Sequence, residues 1–237
     1  MANETLVLDL NSELGGRAAG EILKVISDKF PGKTVFTTSF GYEDQAITDM
    51  IFRNNLNIDV VTLDTGRMFE ETYKVFARTR EKYGQPITVF YPDKEQVENL
   101  LNTKGPISFY ESVENRKECC HIRKVVPLGR ALTGAECWVT GLRASQSASR
   151  ENLKHFEWEP DYGLIKIYPL IDWSLDDVKK YINENNVPYN ALHDRGFVSI
   201  GCEPCTRAIK PGEDFRAGRW WWEQNSGKEC GLHTHND

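Results

Sequence analysis

Two adjacent cysteines followed closely by two cations, in Cys119-Cys120-His121-Ile122-Arg123-Lys124, are hard to explain as packing alone. A second pair, Cys202 and Cys205, stands in Gly201-Cys202-Glu203-Pro204-Cys205-Thr206. Four soft thiolate donors in two close pairs read as a metal or iron–sulfur site closed by the fold. Spacing alone does not choose between zinc and iron. A further cysteine, Cys230, stands apart in Glu229-Cys230-Gly231-Leu232-His233. The expectation is a division of labour, in which the four hold a cofactor and Cys230 does chemistry. Cys137, in Glu136-Cys137-Trp138-Val139-Thr140, reads instead as a small buried residue on a strand.

Three polar turns could serve an anionic ligand. The first is Ser39-Phe40-Gly41-Tyr42-Glu43-Asp44, between a β-branched run and a helical pattern. A strand, a short Ser/Gly turn and a helix collect backbone N–H groups and a positive helix end at one point. The second is Asp64-Thr65-Gly66-Arg67. The third runs from Gly141-Leu142-Arg143 through Gln146 to Arg150; its arginines and hydroxyls suit a phosphate or sulfate. The plain alternatives are an ordinary strand-to-helix turn and a solvated loop.

The elements that must position these turns alternate. Residues 12–30 carry helical spacing with Ser12 as N-cap, ended by Pro31-Gly32. Strands are expected at 34–38, 58–63, 87–91 and 136–140, with helices after the first three and helix-forming periodicity through Val125, Leu128 and Leu132. Residues 103–118 read as a polar loop. Two short strands fall within 154–169, turning at Asp161-Tyr162-Gly163, and Ser174 caps a helix that ends near Asn185. This pattern predicts an α/β fold, a mostly parallel sheet with helices on both faces. Ligands of such sheets sit beyond the carboxyl ends of the strands, where the polar turns lie. The division expected is a domain over residues 1–215 carrying the thiol site, then a flexible C-terminal tail over 216–237 with Ser226-Gly227 as a hinge. Trp220-Trp221-Trp222 reads as core or interface mass.

Composition narrows the setting. The 237 residues are 40% hydrophobic and 27% charged, enough for one sizeable core. A net charge of −6 does not recommend nucleic acid as a partner. The first residues lack the basic and apolar regions of a secretory signal, and no apolar run approaches the roughly 18 residues of a membrane span. The expectation is a cytoplasmic protein, where six cysteines suggest metal ligation or catalysis before disulfides.

Together these motifs resemble the assimilatory sulfonucleotide reductases, in particular the iron–sulfur adenylyl-sulfate (APS) branch. The resemblance runs in the family's order from residue 39 to residue 233, through the three turns, the cysteine pairs, Arg216 with Arg219, and the terminal Glu-Cys-Gly-Leu-His. It implies an adenine-nucleotide α-hydrolase-like (PP-loop) fold. It implies a [4Fe–4S] cluster on Cys119, Cys120, Cys202 and Cys205, with Cys230 as the catalytic nucleophile. Ser39, Gly41, Thr65, Gly66, Lys124, Arg143, Gln146, Arg150, Arg216, Arg219 and His233 are then expected around the substrate. The implied reaction gives sulfite and AMP through a sulfonated cysteine that thioredoxin, or glutaredoxin, resolves; the expected partner is thus a protein reductant, and a homo-oligomer is compatible with the family. The first turn departs from the ATP-splitting relatives' Ser-Gly-Gly-x-Asp-Ser, since Phe40 replaces a glycine and Gln45 a serine. That fits a nucleotide with no pyrophosphate to release. Competing readings are a 3′-phosphoadenylyl-sulfate (PAPS) reductase or dual specificity, a zinc-bearing ATP-dependent tRNA-modifying enzyme of the same fold, and a non-catalytic metal-binding module.

Overall fold

The computed structural model describes residues 2–146 and 153–223. Six strands form one sheet: β1 (Thr34–Thr37), β2 (Asp59–Leu63), β3 (Thr88–Phe90), β4 (Cys137–Val139), β5 (Phe156–Glu159) and β6 (Leu164–Ile167), in the order β3-β2-β1-β4-β6-β5. β1 runs parallel to β2 and β4, β4 runs parallel to β6, and β5 closes the edge antiparallel to β6 as a hairpin. Every residue of β4 and β6 is buried, as are the first three of β1. Successive strand residues face opposite sides, so both faces of the sheet's centre are covered, as parallel sheets require. The expected mostly parallel α/β sheet is the one found.

The helices are α1 (Ala2–Leu14), α2 (Ala19–Lys29), α3 (Tyr42–Arg53), α4 (Glu70–Tyr83), α5 (Lys94–Lys104), α6 (Val113–Cys120), α7 (Val126–Ala131) and α8 (Leu175–Glu184). Two sequence expectations need correction. Residues 12–30 hold parts of two helices, not one, and Ser12 lies inside α1. The break falls at Gly15-Gly16, where Gly16 takes φ +77 and a Cβ on Gly15 would stand 2.4 Å from the Asn11 carbonyl oxygen. Residues 103–118 are not a loop: a short 3₁₀ turn at Ser108–Tyr110 precedes α6, whose N-cap Ser112 accepts from the Asn115 N–H. The sequence hides α6 because its buried position is an arginine, Arg116. The α8 cap is as expected, a full capping box between Ser174 and Asp177.

By contacts the chain divides into two units. The first takes residues 1–61, 71–88 and 134–190. Its core gathers Leu10, Leu14, Ile22, Ile26, Phe36, Ile47, Val139, Phe156 and Ile167 from helices and sheet. Each such side chain contributes about 1.5–3 kcal/mol by leaving water. A carboxylate is also fully buried there. Asp49 accepts from the Tyr83 hydroxyl at 2.6 Å and the Tyr181 hydroxyl at 2.8 Å, with Arg53 at 3.3 Å. It thereby joins α3, α4 and α8, and burial pushes both tyrosine hydroxyls up.

The second unit takes residues 62–70, 89–133 and 191–237. Its own small core is Phe109, Cys205 and Trp220, with Cys119, Cys202 and Trp222 packed against it. Trp220 is buried while Trp221 is exposed. Residues 216–223 belong to this unit; the remainder of the expected tail lies outside the described residues. Among the described residues no helix is long and apolar enough to cross a membrane.

Candidate active site

In the first unit, strand order reverses about β1 and β4, which lie side by side with Phe36 opposite Val139. The crevice beyond their carboxyl ends is where a doubly wound sheet takes its ligand. Both strands end in polar turns. After β1 the backbone tightens at Phe40, which takes φ +61 with its side chain buried and stacked on Phe76 at 4.9 Å. A left-handed backbone at a bulky residue is costly, and the buried ring holds it there. The Ser39 N–H and hydroxyl both donate to Asp44 Oδ2, at 2.6 and 2.7 Å. Gly41 is the N-cap of α3, and Glu43 and Asp44 fill its first turn, where the helix dipole favours them.

After β4 the turn folds onto those same carboxylates. Arg143 Nε donates to Glu43 Oε1 at 2.7 Å and its Nη1 to the Ser145 hydroxyl at 2.6 Å. The Gln146 amide also donates to Glu43 Oε1, at 3.1 Å. Gly141 has no room for a side chain, because a Cβ there would meet Asp44 Oδ1 at 2.2 Å. Ser39, Gly41, Arg143 and Gln146 are thus gathered around Glu43 and Asp44. Burial pushes the Asp44 carboxyl up to about 6, against the Ser39 bonds that pull it down.

In the second unit, the turn after β2 carries Thr65 and Gly66. Gly66 takes φ +69, and its N–H donates to Asp64 Oδ1 at 2.8 Å. The Thr65 hydroxyl stands 3.2 Å from Cys202 Sγ, and its carbonyl accepts from Arg123 Nη1 at 2.7 Å. The Arg67 carbonyl accepts from the Glu203 N–H at 2.8 Å, pinning the second cysteine pair to this turn.

Cys119 and Cys120 form the last turn of α6. A π-helical turn, His121–Val125, follows at once and leads into α7. Pro127 lacks the N–H that a regular helix would aim at the Arg123 carbonyl, so the wider turn suits this sequence. Cys202 opens, and Cys205 closes, a short 3₁₀ turn with Pro204 inside it. All four cysteines line one cavity, together with Arg67, Phe109, Arg116, Arg123 and Lys124. Burial pushes the Cys119 thiol up and the Cys205 thiol to about 12, with Lys124 and Arg219 pulling Cys205 the other way.

Arg216 and Arg219 flank Trp220, at 5.8 and 4.9 Å from its ring. Trp220 takes φ +42, like Phe40 a bulky residue held in the left-handed region. Arg219 is buried against the Gly201 backbone, where a Cβ would come within 2.3 Å of its Nη2. Among the described residues, its Nε and that of Arg123 are buried donors without a hydrogen-bond partner.

The orphaned Arg123 Nε, the cationic wall and the four soft sulfur donors around one cavity are what an anionic sulfur-ligated centre would satisfy. Among the described residues no three His, Cys, Asp or Glu converge as ligands of a single metal ion. Cys137 is fully buried on β4, its thiol pushed up to about 12 by burial. Arg150, Cys230 and His233 lie outside the described residues. Sequence reasoning missed Arg116 and singled out Arg123 only as part of its stretch. Their one signal was a run of cations around paired cysteines; their burial is a tertiary fact.

Known proteins match this chain over most of its length. The family model for the phosphoadenosine phosphosulfate reductase domain matches residues 33–208. An adenosine 5'-phosphosulfate reductase of Agrobacterium fabrum is 52% identical over 203 residues, covering 86% of this chain and 78% of that protein. One from Sinorhizobium fredii is 49% identical over 95% of this chain and 89% of its own length. Among solved structures, a phosphoadenylyl-sulfate reductase from Candida auris, in a phosphate complex, is 32% identical with a TM-score of 0.73, covering 86% of this chain and 96% of that one. An FMN adenylyltransferase of Candida glabrata, 16% identical with a TM-score of 0.54 over 92% of this chain and 76% of its own, shares the fold.

Proposed function

From the fact that the chain belongs to the phosphoadenosine phosphosulfate reductase domain family, we propose that it reduces adenylyl sulfate to sulfite and AMP. The relatives at about 50% identity that bear the adenosine 5'-phosphosulfate reductase name support that substrate. The observation that carries the reading is the cavity lined by Cys119, Cys120, Cys202 and Cys205 among four cations. These thiols are the proposed ligands of a [4Fe–4S] cluster, which supplies fixed charge and a rigid wall. Zinc is the competing occupant, and counting iron and labile sulfide in an anaerobic preparation separates the two.

Cys230 is the proposed nucleophile. Its thiolate attacks the sulfate sulfur, the bond from sulfur to the bridging oxygen breaks, and the electron pair leaves on AMP. A thiol of pKa about 8.5 needs neighbouring cations to be a thiolate at neutral pH. Lys124, Arg143, Arg150, Arg216, Arg219 and His233 are the proposed donors for the nucleotide's charge and for the departing phosphate. Ser39, Gly41, Thr65, Gly66 and Gln146 are the proposed turn contacts. The product is a Cys230 thiosulfonate. A dithiol protein, of thioredoxin or glutaredoxin type, then attacks Cys230 Sγ; sulfite leaves with the electron pair, and the reductant's second thiol resolves the mixed disulfide. Two electrons pass from dithiol to sulfur.

The test is mass spectrometry of the protein mixed with adenylyl sulfate in the absence of reductant. A sulfonate on Cys230, lost in Cys230→Ser, is expected; its absence from the wild-type chain would remove the mechanism. The likeness to the Candida auris PAPS reductase makes PAPS the second substrate to try. Faster turnover of PAPS would reverse the preference.

A further inference from the structure

Asp64 is a buried carboxylate that the chemistry above does not use. It follows β2, is 3% exposed, and its backbone N–H donates to the Phe90 carbonyl of β3 at 3.0 Å. Its Oδ1 accepts the Gly66 N–H at 2.8 Å, closing the turn in which Gly66 takes φ +69. The Tyr91 hydroxyl donates to the same carboxylate, and the Tyr91 carbonyl accepts from Arg130 Nη2. The tyrosine ring itself is exposed. A buried carboxylate costs free energy unless donors surround it. The donors that surround this one fix where the turn points.

The turn so fixed touches both cysteine-bearing segments, all within the second unit. Toward the first pair, the Thr65 carbonyl accepts from Arg123 Nη1 at 2.7 Å, a few residues beyond Cys119 and Cys120. Toward the second, the Thr65 hydroxyl stands 3.2 Å from Cys202 Sγ, and the Arg67 carbonyl accepts from the Glu203 N–H at 2.8 Å. The Arg67 N–H donates back to the Thr65 hydroxyl at 3.3 Å, so the contacts of the turn are set together. Residues 65–67 are a strut between two segments that lie far apart in sequence.

We propose that Asp64 is a positioning residue for the four-thiol cavity: by closing the strut it spaces Cys119 and Cys120 from Cys202 and Cys205, so that the group they hold is retained. This rests on those thiols as the ligands of an iron–sulfur cluster. Asp64 acts through the Gly66 N–H, not through its charge. Without that bond Thr65 and Arg67 lose their fixed place, and the two cysteine segments lose the turn that both lean on.

The experiment follows iron release from the full, iron-loaded chain to an excess of ferrous chelator under anaerobic conditions, with the Fe–S stretching bands read by resonance Raman. Asp64→Ala removes the acceptor; Asp64→Asn removes the charge but keeps an oxygen for the Gly66 N–H. Asp64→Ala is expected to release iron about tenfold faster, with shifted Fe–S bands. Asp64→Asn is expected to match the wild type in both. An unchanged rate in Asp64→Ala overturns the proposal. So does an Asp64→Asn chain that releases iron as fast as Asp64→Ala, which would put the effect on charge. Tyr91→Phe removes one hydroxyl from an exposed ring and serves where Asp64→Ala does not fold. It is expected to release iron about threefold faster, and an unchanged rate there overturns the strut. A wild-type chain that binds no iron on the four cysteines overturns the underlying reading of the cavity instead.

Discussion

Arg143 Nε and Glu43 Oε1 meet at 2.7 Å across the ends of the neighbouring strands β4 and β1. Arg143 is 2% exposed and Glu43 14%, so the pair is largely out of water. Removing one partner of such a pair strands the other charge. Glu43→Gln is therefore expected to lower stability by about 3 kcal/mol, read as a lower urea midpoint at unchanged slope. A midpoint equal to that of the wild type would mean that Ser145 and the solvent satisfy Arg143 by themselves.

Asp44 carries a pH signature of the same turn. Its carboxyl, ordinarily near 3.8, is pushed up to about 6 by burial. A raised acid makes the folded state hold its proton longer than the unfolded chain does. Its contribution to stability is thus fully present below pH 4 and declines as pH rises from about 4 to 6. Carbon-13 NMR of the Asp44 carboxyl should titrate near 6; a midpoint near 4 would show that the two Ser39 bonds outweigh the desolvation.

Gly201→Ala tests Arg219 without touching it. A Cβ at 201 would lie 2.3 Å from Arg219 Nη2 and 2.6 Å from its Cζ, so the guanidinium must leave its seat. One charge-assisted contact is worth about 1.5–3 kcal/mol, so KM for adenylyl sulfate should rise roughly tenfold or more with iron retained. An unchanged KM would take Arg219 out of the substrate's surroundings.

Lys124 lines the four-cysteine cavity and acts on Cys205. Lys124→Ala should cut turnover at least tenfold while iron and labile sulfide stay at the wild-type level. Equal turnover would leave Lys124 with no part in the reaction.

The sulfurs themselves divide cleanly. Serine in place of Cys119, Cys120, Cys202 or Cys205 should lose bound iron, whereas Cys137→Ser should keep it. Cys137 is fully buried in the first unit's core, with its thiol pushed up to about 12. Iron retained in all four cavity variants would put the metal elsewhere.

Much of this was written locally. The β-branched runs foretold the strands, the Ser174-Leu175-Asp176-Asp177 signature the α8 cap, and the two cysteine pairs a shared cavity. Such signals are legible because propensity, capping and donor type act over a few residues. The α6 helix escaped notice because its buried residue is Arg116, which contradicts apolar periodicity. Only the tertiary structure set Arg143 against Glu43, Arg123 against Thr65, and Arg116 against Glu223. Each of these pairs spans more than fifty residues of chain, and a cation reads the same in sequence whether it will be neutralised or left to meet a ligand. Packing decides that, because it determines which charge loses its water and which partner is near enough to replace it.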